Sequence, residues 1–205
     1  MKIGVIDYEA GNLRSVETAL RYCGLDYFVT DSPAELDSAW KLIFPGVGEA
    51  RAAMQVLEAK GLAGAVVRQI EKGKQFLGIC IGYQILFEKS EERDTDCLGI
   101  IPGTVKRFPE RSGYKVPHMG WNEVKFSKAG SADVFEDIPQ ASSFYFVHSY
   151  YPEPLDSDSV LGSTDYIVSF ASCYRNNNVL AVQFHPEKSG AAGLRLLRNF
   201  AEIKD

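Results

Sequence analysis

Two short stretches hold side chains able to make and break a covalent bond. The first is Phe76-Leu77-Gly78-Ile79-Cys80-Ile81-Gly82-Tyr83-Gln84. It reads as strand, sharp turn and helix, with Cys80 at the turn and a glycine two residues to either side. Small neighbours at that spacing let a strained turn project a nucleophile from the carboxyl edge of a sheet. A helix N-terminus beside the sulfur favours a thiolate. The N–H of Ile81 would point where an oxyanion develops. The other reading of Cys80 is a buried core thiol, and that is the role expected of Cys23, Cys97 and Cys173.

The second stretch is His185-Pro186-Glu187, directly after the apolar run Val179–Phe184. Pro186 biases His185 toward extended backbone, where residues two apart share a side. Glu187 can then hold the imidazole in one tautomer, as an acid/base requires. Alone, the tripeptide is an ordinary surface turn. Paired with a cysteine turn at another strand end, it describes a nucleophile, a base and an orienter. His148 reads as a structural histidine, and His118 has no carboxylate at useful spacing.

These groups need a scaffold, and the chain's periodicity supplies one. Lys2–Asp7 reads as a strand. Leu13, Val16, Ala19, Leu20 and Cys23 lie on one helical face, ended by Gly24. Tyr27–Thr30 and Trp40–Phe44 read as strands, the latter running into Pro45-Gly46-Val47-Gly48. Glu49–Lys72 reads as helix broken near Gly61 and Gly64. Gln75–Ile79 reads as strand, and a helix is expected over Ile81–Phe87. This alternation predicts a parallel sheet with right-handed crossovers. From Gly103 to Gln183 the pattern changes to strands without long helices: Asn122–Phe126, Ser143–Val147, Ile167–Tyr174 and Val179–Phe184. Asn176-Asn177-Asn178 is a turn candidate. A last helix carries Leu194, Leu197 and Ala201 on one face. One α/β domain over residues 1–205, with an antiparallel extension, is expected.

Bulk properties narrow the function. Lys and Arg number 22 against 27 Asp and Glu, a net charge of −5, which argues against nucleic acid as the main partner. Neither a membrane-spanning apolar run nor a signal peptide is legible, so a cytoplasmic location is expected. The four cysteines and three histidines lack metal-ligand spacing. A thiolate nucleophile needs no metal or cofactor.

Pro45-Gly46-Val47-Gly48, Gly78–Gln84 and His185-Pro186-Glu187 resemble, in order and separation, the class I glutamine amidotransferases. The resemblance covers essentially the whole chain. Tyr8-x-x-Gly11-Asn12, Pro117-His118-Met119-Gly120-Trp121-Asn122 and Phe144–Tyr151 resemble the glutaminase subunits of imidazole glycerol phosphate synthases within that class. The resemblance implies a flavodoxin-like fold with a mostly parallel central sheet flanked by helices. It implies hydrolysis of L-glutamine through a thioester on Cys80, with His185 as acid/base and Glu187 as its orienter. It further implies Val47 or Gly48 as a second oxyanion donor beside Ile81. Gly46, Gln84, Ser149 and Tyr150 become substrate-binding positions. Asn12, Met119, Trp121, Tyr145 and Lys188 fall at or near an interface with a (β/α)₈-barrel cyclase, into which ammonia passes. That cyclase, in a heterodimer, makes imidazole glycerol phosphate and aminoimidazole carboxamide ribotide during histidine biosynthesis. Residue type alone leaves Trp121 and Tyr145 as core aromatics, Lys188 as a solvated lysine, Gln84 as a helix surface residue and Val47 as a loop residue. Rival readings are a catalytically silent regulatory subunit, or a glutaminase serving anthranilate or pyridoxal phosphate synthesis. Cysteine hydrolases of the wider superfamily place histidine directly after the cysteine, where this chain has Ile81.

Overall fold

The computed structural model describes residues 1–9, 11–127 and 133–203. The first half alternates as the periodicity predicts: β1 (Ile3–Ile6), α1 (Leu13–Tyr22), β2 (Tyr27–Thr30), β3 (Lys41–Phe44), α2 (Ala50–Ala59), α3 (Leu62–Glu71), β4 (Phe76–Ile79) and α4 (Ile81–Gln84). The second half is strand-rich: β5 (Phe87–Ser90), β6 (Thr95–Asp96), β7 (Ile101–Arg107), β8 (His118–Glu123), β9 (Lys125–Phe126), β10 (Ser143–His148), β11 (Tyr150–Pro154), β12 (Val160–Asp165), β13 (Ser169–Asn176) and β14 (Val179–Val182). A 3₁₀ turn over Pro186–Lys188 leads into α5 (Gly190–Glu202).

The main sheet runs β2-β1-β3-β4-β14-β13-β12-β9. Pairing is parallel from β2 through β14 and antiparallel from β14 outward. β14 is therefore the strand where the parallel sheet meets its antiparallel extension. β10 and β8 form a separate antiparallel pair, and β11-β7-β5-β6 a third sheet.

Alternate residues of each central strand feed opposite cores. Ile3, Val5, Ile43, Leu77 and Ile79 pack with Val16 and Leu20 of α1 and Leu196 and Phe200 of α5. Ile6, Leu42, Phe44 and Phe76 pack with Met54 and Leu57 of α2 and Leu62 and Val66 of α3. Truncating a fully buried leucine such as Leu57 to alanine would cost ~2–5 kcal/mol. Both faces being covered explains why these strands are continuous apolar runs in the sequence.

Several expectations need correction. The helix after Cys80 is one turn, because the chain beyond Gln84 is captured by the following segment. The N–H groups of Leu98, Ile100 and Gly99 donate to the carbonyls of Ile85, Leu86 and Phe87. The break between α2 and α3 is at Gly61 alone, which takes φ +69°, whereas Gly64 lies inside α3. The strand expected over Asn122–Phe126 starts at His118 and divides into β8 and β9. The strand expected over Ile167–Tyr174 is shifted to Ser169–Asn176. Gly24 with φ +72° ends α1, and Asn177 with φ +50° turns β13 into β14, as their residue types indicate.

Candidate active site

Cys80 adopts φ +54°, ψ −107°. A non-glycine residue there is strained by about 1–3 kcal/mol, which the surroundings must enforce. The Cys80 N–H donates to the Val182 carbonyl at 2.8 Å, and the Cys80 carbonyl accepts from Tyr83 and Gln84. The flanking glycines are required by space. A Cβ on Gly78 would lie 2.6 Å from the Gly82 carbonyl oxygen, and one on Gly82 would lie 2.3 Å from that of Phe44. A Cβ on Gly46 would lie 1.9 Å from Ile81 Cγ2. The elbow and the Pro45–Gly48 loop therefore pack closer than any side chain allows.

His185 is fully buried. Its Nδ1 donates to Glu187 Oε1 at 2.7 Å, between side chains that are both inaccessible to solvent. That bond fixes the tautomer and leaves Nε2 buried, with no hydrogen bond of ordinary geometry. Burial opposes protonation of the ring, yet the adjoining Cys80 sulfur and Glu187 outweigh it and raise the His185 pKa to about 10. The expected contact between His185 and Glu187 is present, but by a different route: the chain is extended only at His185 and enters a 3₁₀ turn at Pro186. Ser189 and Tyr145 clamp the histidine backbone, with the His185 N–H donating to the Tyr145 carbonyl at 2.9 Å. Ser189 Oγ donates to the His185 carbonyl at 2.6 Å and accepts from the Tyr145 N–H.

A cleft of about 340 Å³ opens over the sulfur, at the small end of the range for ligand pockets. Val47, Gly48, Cys80, Ile81, Gln84, Glu92, Val147, His148, Ser149 and Tyr150 line it together with Pro117. Ile81 is the first residue of α4, so its N–H has no acceptor within the helix. The Val47 amide is turned toward the buried Tyr8 hydroxyl, a contact short of full hydrogen-bond geometry. Gly46 sits behind the loop, against Ile81 and Tyr8.

Gln84 is buried, which excludes the helix-surface role its position in α4 allowed. Its Nε2 donates to the Tyr150 carbonyl and to Gln183 Oε1, both at 2.9 Å. Gln183 Nε2 in turn lies 3.5 Å from Cys80 Sγ. The residues proposed for an interface divide. Met119 and Trp121 are 64% and 59% exposed, Lys188 is exposed, and Tyr145 is half-buried with its ring 6.2 Å from that of Trp121. Asn12 is buried and turned inward, donating from Nδ2 to Glu187 Oε1. Of the remaining cysteines, Cys173 is buried and Cys23 and Cys97 half-buried, and burial pushes all three thiols up.

Sequence reasoning missed Gln183, Glu92 and the His118–His148 pair. The signal for Gln183 was present: a lone amide inside an apolar strand, two residues before His185 and therefore on its side. Glu92 carries the cleft's carboxylate, and its Oε2 accepts from the Ala50 N–H at 2.7 Å. His148 Nδ1 donates to the Tyr150 carbonyl at 2.7 Å, and its Nε2 accepts from His118 Nδ1 at 3.0 Å. His118 Nε2 accepts from Asn122 Nδ2 at 3.2 Å. A hydrogen-bonded line of neutral rings thus runs from β8 to the cleft wall.

The family model for class-I glutamine amidotransferases matches residues 4–203. The chain belongs to the class-I glutamine amidotransferase family. It is 47% identical to the imidazole glycerol phosphate synthase subunit HisH of Moorella thermoacetica, over 98% of this chain and 94% of that one. It is 44% identical to the subunit of the same name from Synechocystis sp., over 98% and 95% of the two chains. Solved structures share the fold. A crystal structure of a glutamine amidotransferase superposes with a TM-score of 0.76 at 21% identity, covering 98% of each chain. The PurLQS structure from Thermotoga maritima superposes with a TM-score of 0.75 at 18% identity, covering 98% of this chain and 97% of that one. The mostly parallel sheet of this amidotransferase, with its antiparallel extension, is the architecture the sequence predicts.

Proposed function

We propose that this amidotransferase is the glutaminase subunit of an imidazole glycerol phosphate synthase, with residues 1–205 acting as one domain. The observation that carries the reading is the buried His185–Glu187 pair set against a strained Cys80 at the floor of a cleft. The full-length likeness to HisH subunits supports the choice of partner.

L-Glutamine enters the cleft over Cys80, where Glu92 offers a carboxylate for its ammonium group and the Ser149–Tyr150 segment forms the facing wall. The thiolate attacks the side-chain amide carbon, and the carbonyl π electrons move to oxygen. The Ile81 N–H receives that oxyanion, and Val47 or Gly48 adds a second donor once the loop peptide turns away from Tyr8. His185 gives its Nε2 proton to the departing nitrogen, ammonia leaves, and a glutamyl thioester remains. A water then gives a proton to Nε2 and attacks the thioester, so that glutamate departs and the thiolate–imidazolium pair returns. Ammonia exposed to bulk water would be protonated and lose its nucleophilic lone pair. A barrel-shaped cyclase docked on the face bearing Met119, Trp121 and Lys188 would receive it directly.

With one oxyanion donor in place and the other turned aside, the isolated chain should hydrolyse glutamine poorly. A missing donor costs ~10²–10³ in rate. Mixing the chain with a candidate cyclase and its nucleotide should yield imidazole glycerol phosphate from glutamine and stimulate hydrolysis by that order. Unstimulated, full activity of the chain alone would overturn the gating. Failure with the cyclase but success with another synthase would overturn the assignment of the partner.

A further inference from the structure

Three contacts, two of them buried, link the nucleophile to the wall of the cleft. Gln84 Nε2 donates to the Tyr150 carbonyl, Gln84 Nε2 also donates to Gln183 Oε1, and Gln183 Nε2 approaches Cys80 Sγ at 3.5 Å. The orientation of both amides follows from the chemistry. A backbone carbonyl only accepts, so the Gln84 group beside Tyr150 must be its NH₂. That NH₂ requires an acceptor on Gln183, which turns the Gln183 NH₂ toward the sulfur. Gln183 is completely buried. Its backbone is held by a bond from its own N–H to the Ser172 carbonyl at 2.9 Å, and that of His185, two residues on, by Tyr145. Both side chains reach Cys80, the imidazole adjoining its sulfur and the amide at 3.5 Å, so one short segment after β14 delivers both a base and an amide donor.

We propose that Gln183 is a catalytic residue of the glutaminase reaction, its Nε2–H holding the Cys80 sulfur in the thiolate form and, through Gln84, in register with the cleft wall at Tyr150. The proposal rests on the reading of Cys80 as nucleophile. In the first half-reaction the donor keeps the sulfur charged and aimed while its electron pair forms the C–S bond. In the second, that bond breaks, the pair returns to sulfur, and the same N–H receives the developing charge. A donor to an ionised acceptor is roughly twice as strong as one to a neutral acceptor, so the contact favours the two states in which sulfur carries charge. A merely structural glutamine would satisfy its own polar atoms and leave the ionisation of the thiol unchanged.

The test is the pH dependence of Cys80 alkylation by iodoacetamide, read by peptide mass spectrometry on the purified chain. The titratable groups facing the sulfur are His185 with Glu187 behind it, Tyr8 from the loop after β1, and Glu92, His148 and Tyr150 lining the cleft. All are retained in the variants. Gln183→Glu keeps the shape and replaces the donor by an acceptor. It should move the alkylation midpoint up by about one pH unit and slow alkylation at neutral pH roughly tenfold. Gln183→Met, which removes the donor, should move it the same way by about half as much. In the complex with the cyclase both variants should lose kcat for glutamine while KM changes little. Far-UV circular dichroism and the urea midpoint establish that each is folded. If Gln183→Met does not fold, Gln183→Asn, which withdraws the donor by one methylene, takes its place. Folded variants with the unaltered midpoint would overturn the proposal. An error in the nucleophile itself would show separately, as glutamine hydrolysis by the Cys80→Ala complex.

Discussion

Asn12 and Glu187 stand 175 residues apart in sequence, yet the Asn12 amide donates directly to the carboxylate oxygen that also receives His185 Nδ1. Asn12 precedes α1, and Glu187 sits in the turn before α5. The starts of the two helices thus meet behind the His185–Glu187 pair. Asn12→Ala should lower kcat for glutamine hydrolysis by roughly 10–100-fold with little change in KM, since a hydrogen bond to a buried charge is lost. Asn12→Asp, an isosteric acceptor beside a carboxylate, should be worse. Steady-state kinetics of the assembled complex would decide. An unimpaired Asn12→Asp would mean that Glu187 needs no such brace.

Cys80→Ala should abolish glutamine hydrolysis while the assembled synthase still accepts added ammonium salts. The same variant tests the charge coupling. Because the Cys80 sulfur helps raise the His185 pKa to about 10, its removal should lower that value. ¹⁵N NMR of the imidazole would follow it. The raised value also means that this group's contribution to stability is complete below pH ~6.5 and fades as pH climbs toward about 10. A His185 titration unmoved by Cys80→Ala would refute the pairing.

Gly82→Ala should be among the more damaging substitutions of one methyl in the chain. Its Cβ would sit 2.3 Å from a backbone oxygen of β3, and forcing such a contact costs typically ~1–3 kcal/mol or more. Gly11→Ala, whose methyl would meet only Val47 Cγ2 at 3.9 Å, is the contrasting variant. Thermal melts of the two should differ clearly. Equal melting temperatures would show that the elbow can relax.

The His118–His148 pair predicts acid sensitivity. Burial lowers His118 to about 4 and, aided by the neighbouring rings, His148 to about 3. The unfolded chain therefore binds more protons than the native one below pH ~6.5, so native stability must fall as pH drops from there toward 4 and then 3. Between pH 7 and 5 the loss should be on the order of 4 kcal/mol, roughly 2 from each ring. Urea midpoints of the parent chain and of His118→Gln/His148→Gln would measure it. Parallel pH dependences for the two proteins would remove the pair as the cause.

The parallel half of the fold was readable because its strands are buried on both faces and announce themselves as apolar runs, and because Gly24 and Gly61 punctuate it, as Asn177 does the β13–β14 hairpin, with residues suited to positive φ. Cys80, His185 and Glu187 were readable because each sits where such a run ends. The strands β5–β7, β11 and β12 were not. β7 carries Pro102 and Gly103, β11 carries Pro152 and Pro154, and β12 bends around Gly162, so none alternates cleanly. The inward turn of Asn12 and the burial of Gln84 were also illegible, since each depends on what distant chain segments place over it.

The order of the central strands has a consequence for synthesis. The Cys80 thiol directly follows β4, whereas the His185 imidazole lies just beyond β14, which pairs with β4 on one edge and with the antiparallel β13 on the other and is made only after β13. A ribosome-bound chain therefore carries a sulfur with no proton donor beside it. Under the proposed roles, the groups needed for glutamine hydrolysis meet only once β14 has joined β4.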